Sequence, residues 1–438
     1  MLKRHVAWVR TLLSIVGVVI MVCAGLSACS QDTNLQNQVP IKIGISTSTS
    51  GDFADDGKAV EQGYQLWEQA INNSGGLLGR PVALDILHDN SDPKTVAANY
   101  EKLISVDHVD LVLGPFSTLL TRAAACVALK HGYPLIEGSG GGPSVYSLQC
   151  KDGVPLPPDA PPGSGTLQNN VFGVTLPAAN NLVSFAYYIL SLPVAIRPKT
   201  VAFATQDDPF TTPQIQEART ILEKQGGLHV VCCNNGNPYS GADTKIYKVI
   251  AEQAVHSGAD ICVLGTFLPD ITVFINTFKA EHYNPKAIVA TAGPDLGSQF
   301  IKAVGLQATE GVFVPNGWYP QANTYQNADM VNAYVAQYGG TADTVNADVA
   351  EAYSAGQVAV QAITKINSLD KKALVKELQS DVFNTVQGPV QFATSGVGIL
   401  GENTLAQAYL FQWQKGSLIP VYPDAEAVTN PEYPKAPW

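Results

Sequence analysis

The chain has 438 residues, 46% of them hydrophobic and 14% charged, and a formal net charge of −11. That length accommodates two or three domains, and the composition excludes a disordered or collagen-like chain. An acidic chain with no lysine/arginine cluster is also poorly suited to nucleic acid, so no nucleic-acid partner is expected.

The first element in chain order is an export signal. Lys3, Arg4 and Arg10 form a basic start, residues 12–25 are an almost uncharged apolar run, and Leu26-Ser-Ala-Cys29 follows. A plain membrane anchor with a chance cysteine is the alternative. The small residues directly before Cys29 and the polar run from Ser30 favour a lipoprotein signal over residues 1–28, with Cys29 as the lipidated residue. Its removal takes Lys3, Arg4 and Arg10 and no acidic residue, so the formal charge moves from −11 to −14. Residues 29–40 then read as a flexible tether. The protein is expected outside the cytoplasm, held to the outer face of the cell membrane by its lipid, and periplasmic in a two-membrane cell.

Of the seven cysteines, Cys23 leaves with the signal and Cys29 carries lipid. An exported setting permits disulfides among the rest. Cys126 with Cys150 is the expected pair, because Cys150 lies in an irregular stretch that a bond would pin. Cys262, in an apolar run, is expected to be a buried thiol. Cys232 and Cys233 are read as ordinary strand-end residues, since neighbours bridge only in a strained geometry. No cysteine or histidine spacing resembles a metal site, and no metal or cofactor is expected.

Residues 41–45 predict a strand, followed by a hydroxyl-rich loop at 46–50. A helix follows over 58–73, ending at Gly75-Gly76, and then a strand over 82–87. Pro93 opens a helix at the first-turn position that proline favours. Residues 109–142 carry a β-α-β unit: the strand 110–114, a helix over 119–131 capped by Ser117 or Thr118, and the strand 134–136 running into Gly138-Ser-Gly-Gly-Gly142. Two strand ends and a hydroxyl-capped helix start then lie side by side, the arrangement at which open parallel sheets bind ligands. An ordinary β-α-β unit without ligand fits this stretch equally well. From 147 to 170 five prolines interrupt the pattern, which reads as a surface insertion. A second alternating β/α set runs from 171 to about 290. A strand at 311–314, helices at 328–338, 347–366 and 371–380, and a strand-bearing tail complete the chain. The predicted fold class is α/β, with parallel sheets flanked by helices in two Rossmann-like lobes.

Several local signals point elsewhere and are weak. The glycine run lacks the Gly-Lys-Ser/Thr ending of a phosphate loop. His88-Asp89 has no second histidine-rich partner. Ser139 stands in Gly-Ser-Gly without the Gly-x-Ser-x-Gly elbow of an α/β-hydrolase. The 347–366 stripe includes Asp348, Glu351 and Lys365, so it reads as helix core and not as a membrane span.

A set of longer motifs is more specific. Ile41-Lys-Ile-Gly-Ile45 precedes Ser50-Gly51. Glu61-Gln-Gly-Tyr64 leads to Ile71-Asn-Asn-Ser-Gly-Gly-Leu-Leu-Gly-Arg-Pro-Val82. Then come Asp89-Asn-Ser-Asp-Pro-Lys94, Gly114-Pro-Phe-Ser-Thr118, Gly388-Pro-Val390 and Phe411-Gln-Trp413. Over roughly residues 40–415 the sequence resembles the leucine/isoleucine/valine-binding protein family, the type I periplasmic solute-binding proteins of ABC transporters. The resemblance implies two lobes joined by three crossings, placed near Thr175-Leu176, near 315–318 and near 392–394. It divides the chain into a first lobe of 41–175 plus 318–392 and a second of 176–317 plus 393–438. It implies capture without catalysis, in a monomer, with a small-molecule solute, an ABC permease and its ATPase subunits as partners. The expected solute is an amino acid or a related amide or carboxylate. A ligand sensor of the same fold and an exported hydrolase are the alternatives.

The family's site residues carry over unevenly. Its carboxylate-binding hydroxyls match Ser117 and Thr118. Its second cluster matches Ser139, Gly140 and Gly141, without the usual threonine. Its second-lobe aromatics match Phe210 and Phe267. The acid that pairs with a ligand ammonium falls near Gly293, with Asp295 two positions on. Asp56 stands where the first loop often presents an aromatic.

Overall fold

The computed structural model describes residues 38–438 apart from 158, 234–237, 240–243 and 395–397. The expected signal, most of the tether and Cys29 lie outside the described residues. Strands β1 (Ile41–Thr47), β2 (Val82–His88), β3 (Leu111–Leu113), β4 (Leu135–Glu137) and β5 (Val171–Gly173) form one parallel sheet in the order β2-β1-β3-β4-β5. The second sheet contains β6 (Thr200–Thr205), β7 (His229–Cys232), β8 (Ile261–Gly265), β9 (Ala287–Ala290), β10 (Val312–Asn316), β11 (Tyr409–Gln414) and β12 (Ser417–Tyr422), in the order β7-β6-β8-β9-β10-β11-β12. Its last two strands run antiparallel. The expected α/β class with helix-flanked parallel sheets is the observed one.

The period-two alternation of strands explains the layering of the second sheet. Val201 and Phe203, Ile261 and Val263, and Ala287 and Val289 point into one apolar cluster. Ala202 and Ala204, Cys262 and Leu264, and Ile288 and Ala290 point into another on the opposite face. In the first sheet Ile41, Ile43 and Ile45 are fully buried in a cluster that also takes residues from the helices α8 (Asn327–Tyr338), α9 (Ala347–Ile366) and α10 (Lys371–Leu378). Among the described residues no helix is long and apolar enough to cross a membrane.

The Gly-Gly-x-x-Gly-Arg-Pro motif has a structural role. It follows helix α1 (Ala54–Asn73). Gly75, Gly76 and Gly79 all have positive φ, which bends the chain back sharply. Arg80 Nε then donates to the Val39 carbonyl at 2.8 Å and Nη2 to the Pro40 carbonyl at 3.1 Å, fixing the start of β1. Asn72 exchanges two hydrogen bonds with the backbone of Val82, tying the end of α1 to β2.

The chain passes between the sheets three times. It leaves β5 through 174–177, and it leaves β10 at Asn316, after which Trp318 enters the first core. The third passage lies later than 392–394. Phe392 is still packed in the first core, 5.2 Å from the Phe172 ring and 6.1 Å from Phe383. Asn403 Nδ2 donates to the Val174 carbonyl at 2.9 Å, so the chain crosses between Thr404 and Tyr409.

Cys126, in helix α3 (Thr118–Lys130), is bonded to Cys150, with Cα atoms 5.4 Å apart. The insertion around Cys150 holds a small three-stranded sheet, so the bond staples it to α3. The bond closes a sequence separation of 24. Replacing both cysteines by serine is expected to cost about 2 kcal/mol, read as a Tm lower by roughly 4–8 °C. An unchanged Tm would show that the insertion is independent of the core. Cys262 is the buried free thiol. Cys232 and Cys233, expected as ordinary strand-end residues, are instead bonded to each other across a cis peptide, with Cα atoms 3.1 Å apart. With Cys126 and Cys150 joined and Cys262 inside a core, neither has another partner thiol among the described residues.

Candidate functional site

The parallel strands of both sheets end at one cleft. On the first sheet's side the first turn of the helix over Ala54–Asn73 contributes Asp56, and the loops after β3 and β4 contribute Phe116 and Ser139. From the second, the segments after β6 and β9 contribute Phe210, Thr291, Ala292 and Asp295. Thr175, Leu176, Asn316 and Gly317 of the first two passages form the floor, and Ala347, Asp348 and Glu351 enter from the first turns of α9. The cleft holds about 540 Å³ of space between atoms, its mouth included. Carboxyl ends of parallel strands, where connections reverse, are where open α/β sheets place their ligands.

Helix α9 reaches the cleft because it packs along α1, with both N-termini at the same end. Asn346 caps α9 by accepting the Asp348 amide at 2.9 Å. Gly138, in the loop after β4, lets the backbone of Glu351 approach: a Cβ there would meet the Glu351 carbonyl at 2.8 Å.

The charge of the cleft is one-signed. Asp56, Asp295, Asp348 and Glu351 line it, and no lysine, arginine or histidine does among the described residues. Burial, and then the charges of Asp295 and Asp55, push the Asp56 carboxyl up to about 8. Burial, then Asp56, Glu351 and Asp295, hold Asp348 well above the ordinary carboxylate range. Glu351 is raised to about 8, chiefly by burial, against hydrogen bonding that lowers it. Thr175 Oγ1 donates to Glu351 Oε1 at 2.7 Å. Burial alone raises Asp295 to about 6, against a 2.8 Å bond from the Gly293 amide. Behind the cleft, burial raises Glu137 to about 7 while it accepts from the Tyr146 hydroxyl at 2.6 Å and from the Gly140 amide. These groups do not converge as metal ligands do, and no set of three or more His, Cys, Asp or Glu among the described residues could hold a metal ion.

The residues expected at a site separate into two groups. Ser139, Phe210, Asp295 and Asp56 all line the cleft. Ser117 and Thr118 do not line it. Ser117 Oγ accepts the Leu120 amide at 3.3 Å as the cap of α3, and Thr118 Oγ1 accepts the Gly142 amide at 3.0 Å. The Gly140 amide is held by Glu137, and Gly141 lies against Leu176, whose carbonyl a Cβ would meet at 2.7 Å. Phe267 does not line the cleft and is buried beside it. Its ring centroid is 6.1 Å from Phe210 and 5.4 Å from Phe53, and Phe53 is 5.4 Å from Phe116. These four rings join the two lobes.

Asp348 and Glu351 are the residues that sequence reasoning placed elsewhere. They served only to show that their helix does not span a membrane. Their signal was two carboxylates at i and i+3 in the first turns of an alanine-rich helix otherwise patterned for burial, which puts both acids on one face.

A family model described as periplasmic binding protein matches residues 40–417. Leu/Ile/Val-binding protein homolog 7 of Brucella suis biovar 1 is 23% identical over 410 residues, covering 90% of this chain and 94% of that protein. Homolog 8 of Brucella melitensis biotype 1 is 22% identical over 415 residues, with 90% and 93% covered. The chain is similar in fold to the branched-chain amino acid transporter substrate-binding protein LivJ of Streptococcus pneumoniae, solved with isoleucine. The TM-score is 0.71 at 18% identity, covering 87% of this chain and 98% of that one. It is also similar to an ABC transporter solute-binding protein of R. palustris solved with benzoate, at a TM-score of 0.68 and 17% identity, with 90% and 98% covered. With the family model spanning both sheets, the chain belongs to the periplasmic binding protein family.

Proposed function

We propose that the protein captures a small polar solute between its two lobes and delivers it to an ABC importer. In this reading it is held outside the cell membrane through a lipid on Cys29, acts as a monomer and performs no catalysis. The observation that carries the reading is a cleft whose walls come from both lobes and from the passages between them. A solute held there contacts Asp56, Ser139 and Glu351 on one side and Phe210 and Asp295 on the other. The second set of contacts forms only when the lobes meet, so binding shifts the population towards the closed form that a permease can recognise. The relatives' names support transport of amino-acid-sized solutes.

A thermal-shift screen over amino acids, amides, small carboxylates and amines tests the reading. A bound solute at a hundredfold excess over its Kd adds about 2.7 kcal/mol, so saturable stabilisation without turnover is expected. Product formed from an ester or amide, and lost in Ser139→Ala, would overturn capture in favour of hydrolysis. A Phe210→Ala variant is expected to bind the identified solute at least about tenfold more weakly, through the loss of a large apolar contact.

A further inference from the structure

Resting on the reading of the cleft as a solute site, we propose that the solute is a small organic cation with two positively charged nitrogens, of the diamine or amino-guanidine class, held by Asp56, Asp295, Asp348 and Glu351. A neutral α-amino acid presents one ammonium and one carboxylate, and desolvating each requires a partner of opposite charge or several donors. This cleft has acids in excess and no cationic side chain lining it among the described residues. The hydroxyls that would receive a carboxylate, on Ser117 and Thr118, do not line the cleft. Thr291 Oγ1, which does line it, already donates to the Thr266 carbonyl at 2.8 Å.

A second observation marks a missing partner. Ser139 lines the cleft at 9% exposure, and its Oγ has no partner within hydrogen-bond geometry. It lies near enough to Glu351 to lower that acid's pKa without completing such a bond. A buried hydroxyl without a partner marks a place that a ligand donor can fill. The four acids form one chain of neighbours along the cleft: Asp56 faces Asp295 and Asp348, Asp348 also faces Glu351, and Glu351 accepts from Thr175. Asp348 and Glu351 are one helical turn apart, roughly 5–6 Å between Cβ atoms, which suits nitrogens separated by a short chain. Past Asp295, Asn316 and Ala347 the cleft continues into a hollow walled by Trp318, Tyr319 and Phe411. Aromatic faces accept the methylenes and the edge of a cation. The dispersed acids suit such an ion better than a metal, whose ligands must converge on one point.

The test is calorimetric titration of the full chain at about pH 8 with 1,4-diaminobutane, agmatine, L-leucine and butyramide. One of the two dications is expected to bind at least about tenfold more tightly than leucine or butyramide, a difference set by paired charges that neutral solutes lack. Its binding should release protons and weaken towards pH 5, because a cation favours the ionised acids. Asp348→Asn and Glu351→Gln should each reduce dication affinity at least about 30-fold. Unliganded melting checks that both variants are folded. Leucine or butyramide binding as tightly as the dications overturns the cation class and leaves solute capture standing. Silence from all four also overturns the cation class, and the broader thermal-shift screen then decides capture separately.

Discussion

Raising the pH from about 5 to about 8 is expected to lower the Tm of the ligand-free protein by roughly 8–12 °C, corresponding to a net loss of about 3–4 kcal/mol. Proteins commonly hold or gain stability over this interval, because ordinary carboxylates are fully ionised by its lower end. The sign follows from the direction of the shifts. Asp56 and Glu351 are raised to about 8, Glu137 to about 7 and Asp295 to about 6, from ordinary values of 3.8 for aspartate and 4.5 for glutamate. Asp348 is raised as well. Between those ordinary values and the raised ones, the folded state holds protons that the unfolded chain has released, so stability falls as pH rises. It is greatest below about 4 and is lost through about 8, the range set by these groups.

The neighbours of each group offer no counter-charge. Asp56 faces Asp295, Asp55 and Asp348; Asp348 faces Asp56, Glu351, Asp295 and the Asn346 amide; Glu351 faces Thr175, Ser139, Glu137 and Asp295. Elsewhere Asp270 and Glu402 are raised to about 7 and Asp208 to about 6, chiefly by burial, and they act in the same direction. One pKa unit is worth about 1.4 kcal/mol. The full shifts exceed the loss expected because three of the cleft acids retain contact with water, which screens them. Melting curves across this interval are the measurement, and a flat or rising Tm would falsify the account. Asp348→Asn should raise the Tm at pH 8 and flatten the slope, since it removes the carboxyl that faces three others.

The elements and their layering were legible in the sequence, because the strands are short apolar runs and several helices start at a recognisable cap. Asp92 before Pro93 is one such cap, with its carboxylate accepting the Thr95 amide at 2.9 Å. The Cys126–Cys150 bond was legible for a local reason, an irregular segment beside a helix. The cleft was legible in part. Loop residues that directly follow strands, such as Phe210 and Ser139, can be placed by counting along one β/α unit. Asp348 and Glu351 could not be placed this way, because they arrive on a helix some 200 residues further on, after the chain has crossed twice between sheets. Ser117 and Thr118 show the converse limit. A hydroxyl at a helix start signals a cap and a ligand site equally, and only the folded arrangement shows that neither residue lines the cleft.

A valine at Gly63 is expected to destabilise the protein by at least about 3 kcal/mol, even though replacing a mid-helix glycine removes a penalty of about 1 kcal/mol. Gly63 lies in α1 where that helix crosses α9. A Cβ there would stand 2.4 Å from the Val349 carbonyl oxygen and 2.8 Å from the Ala352 Cβ. The first contact is with backbone of a buried helix, which has no rotamer through which to yield, so the two helices must separate. Four residues on from Gly63 along α1, Trp67 packs on Gly356, whose added Cβ would fall 2.3 Å from the indole. Gly356→Ala should therefore also lower the Tm. There the neighbour is a side chain, and a smaller one relieves the clash. In a double-mutant cycle Gly356→Ala with Trp67→Leu should lose less than the sum of the single changes, while Gly63→Val has no such partner. The same crossing brings Asp56 of α1 against Asp348 of α9. Moving the helices apart weakens that repulsion, so any folded fraction of Gly63→Val should show a shallower fall of Tm with pH than the parent. Equal slopes would show that the acid cluster does not depend on the close approach of α1 and α9.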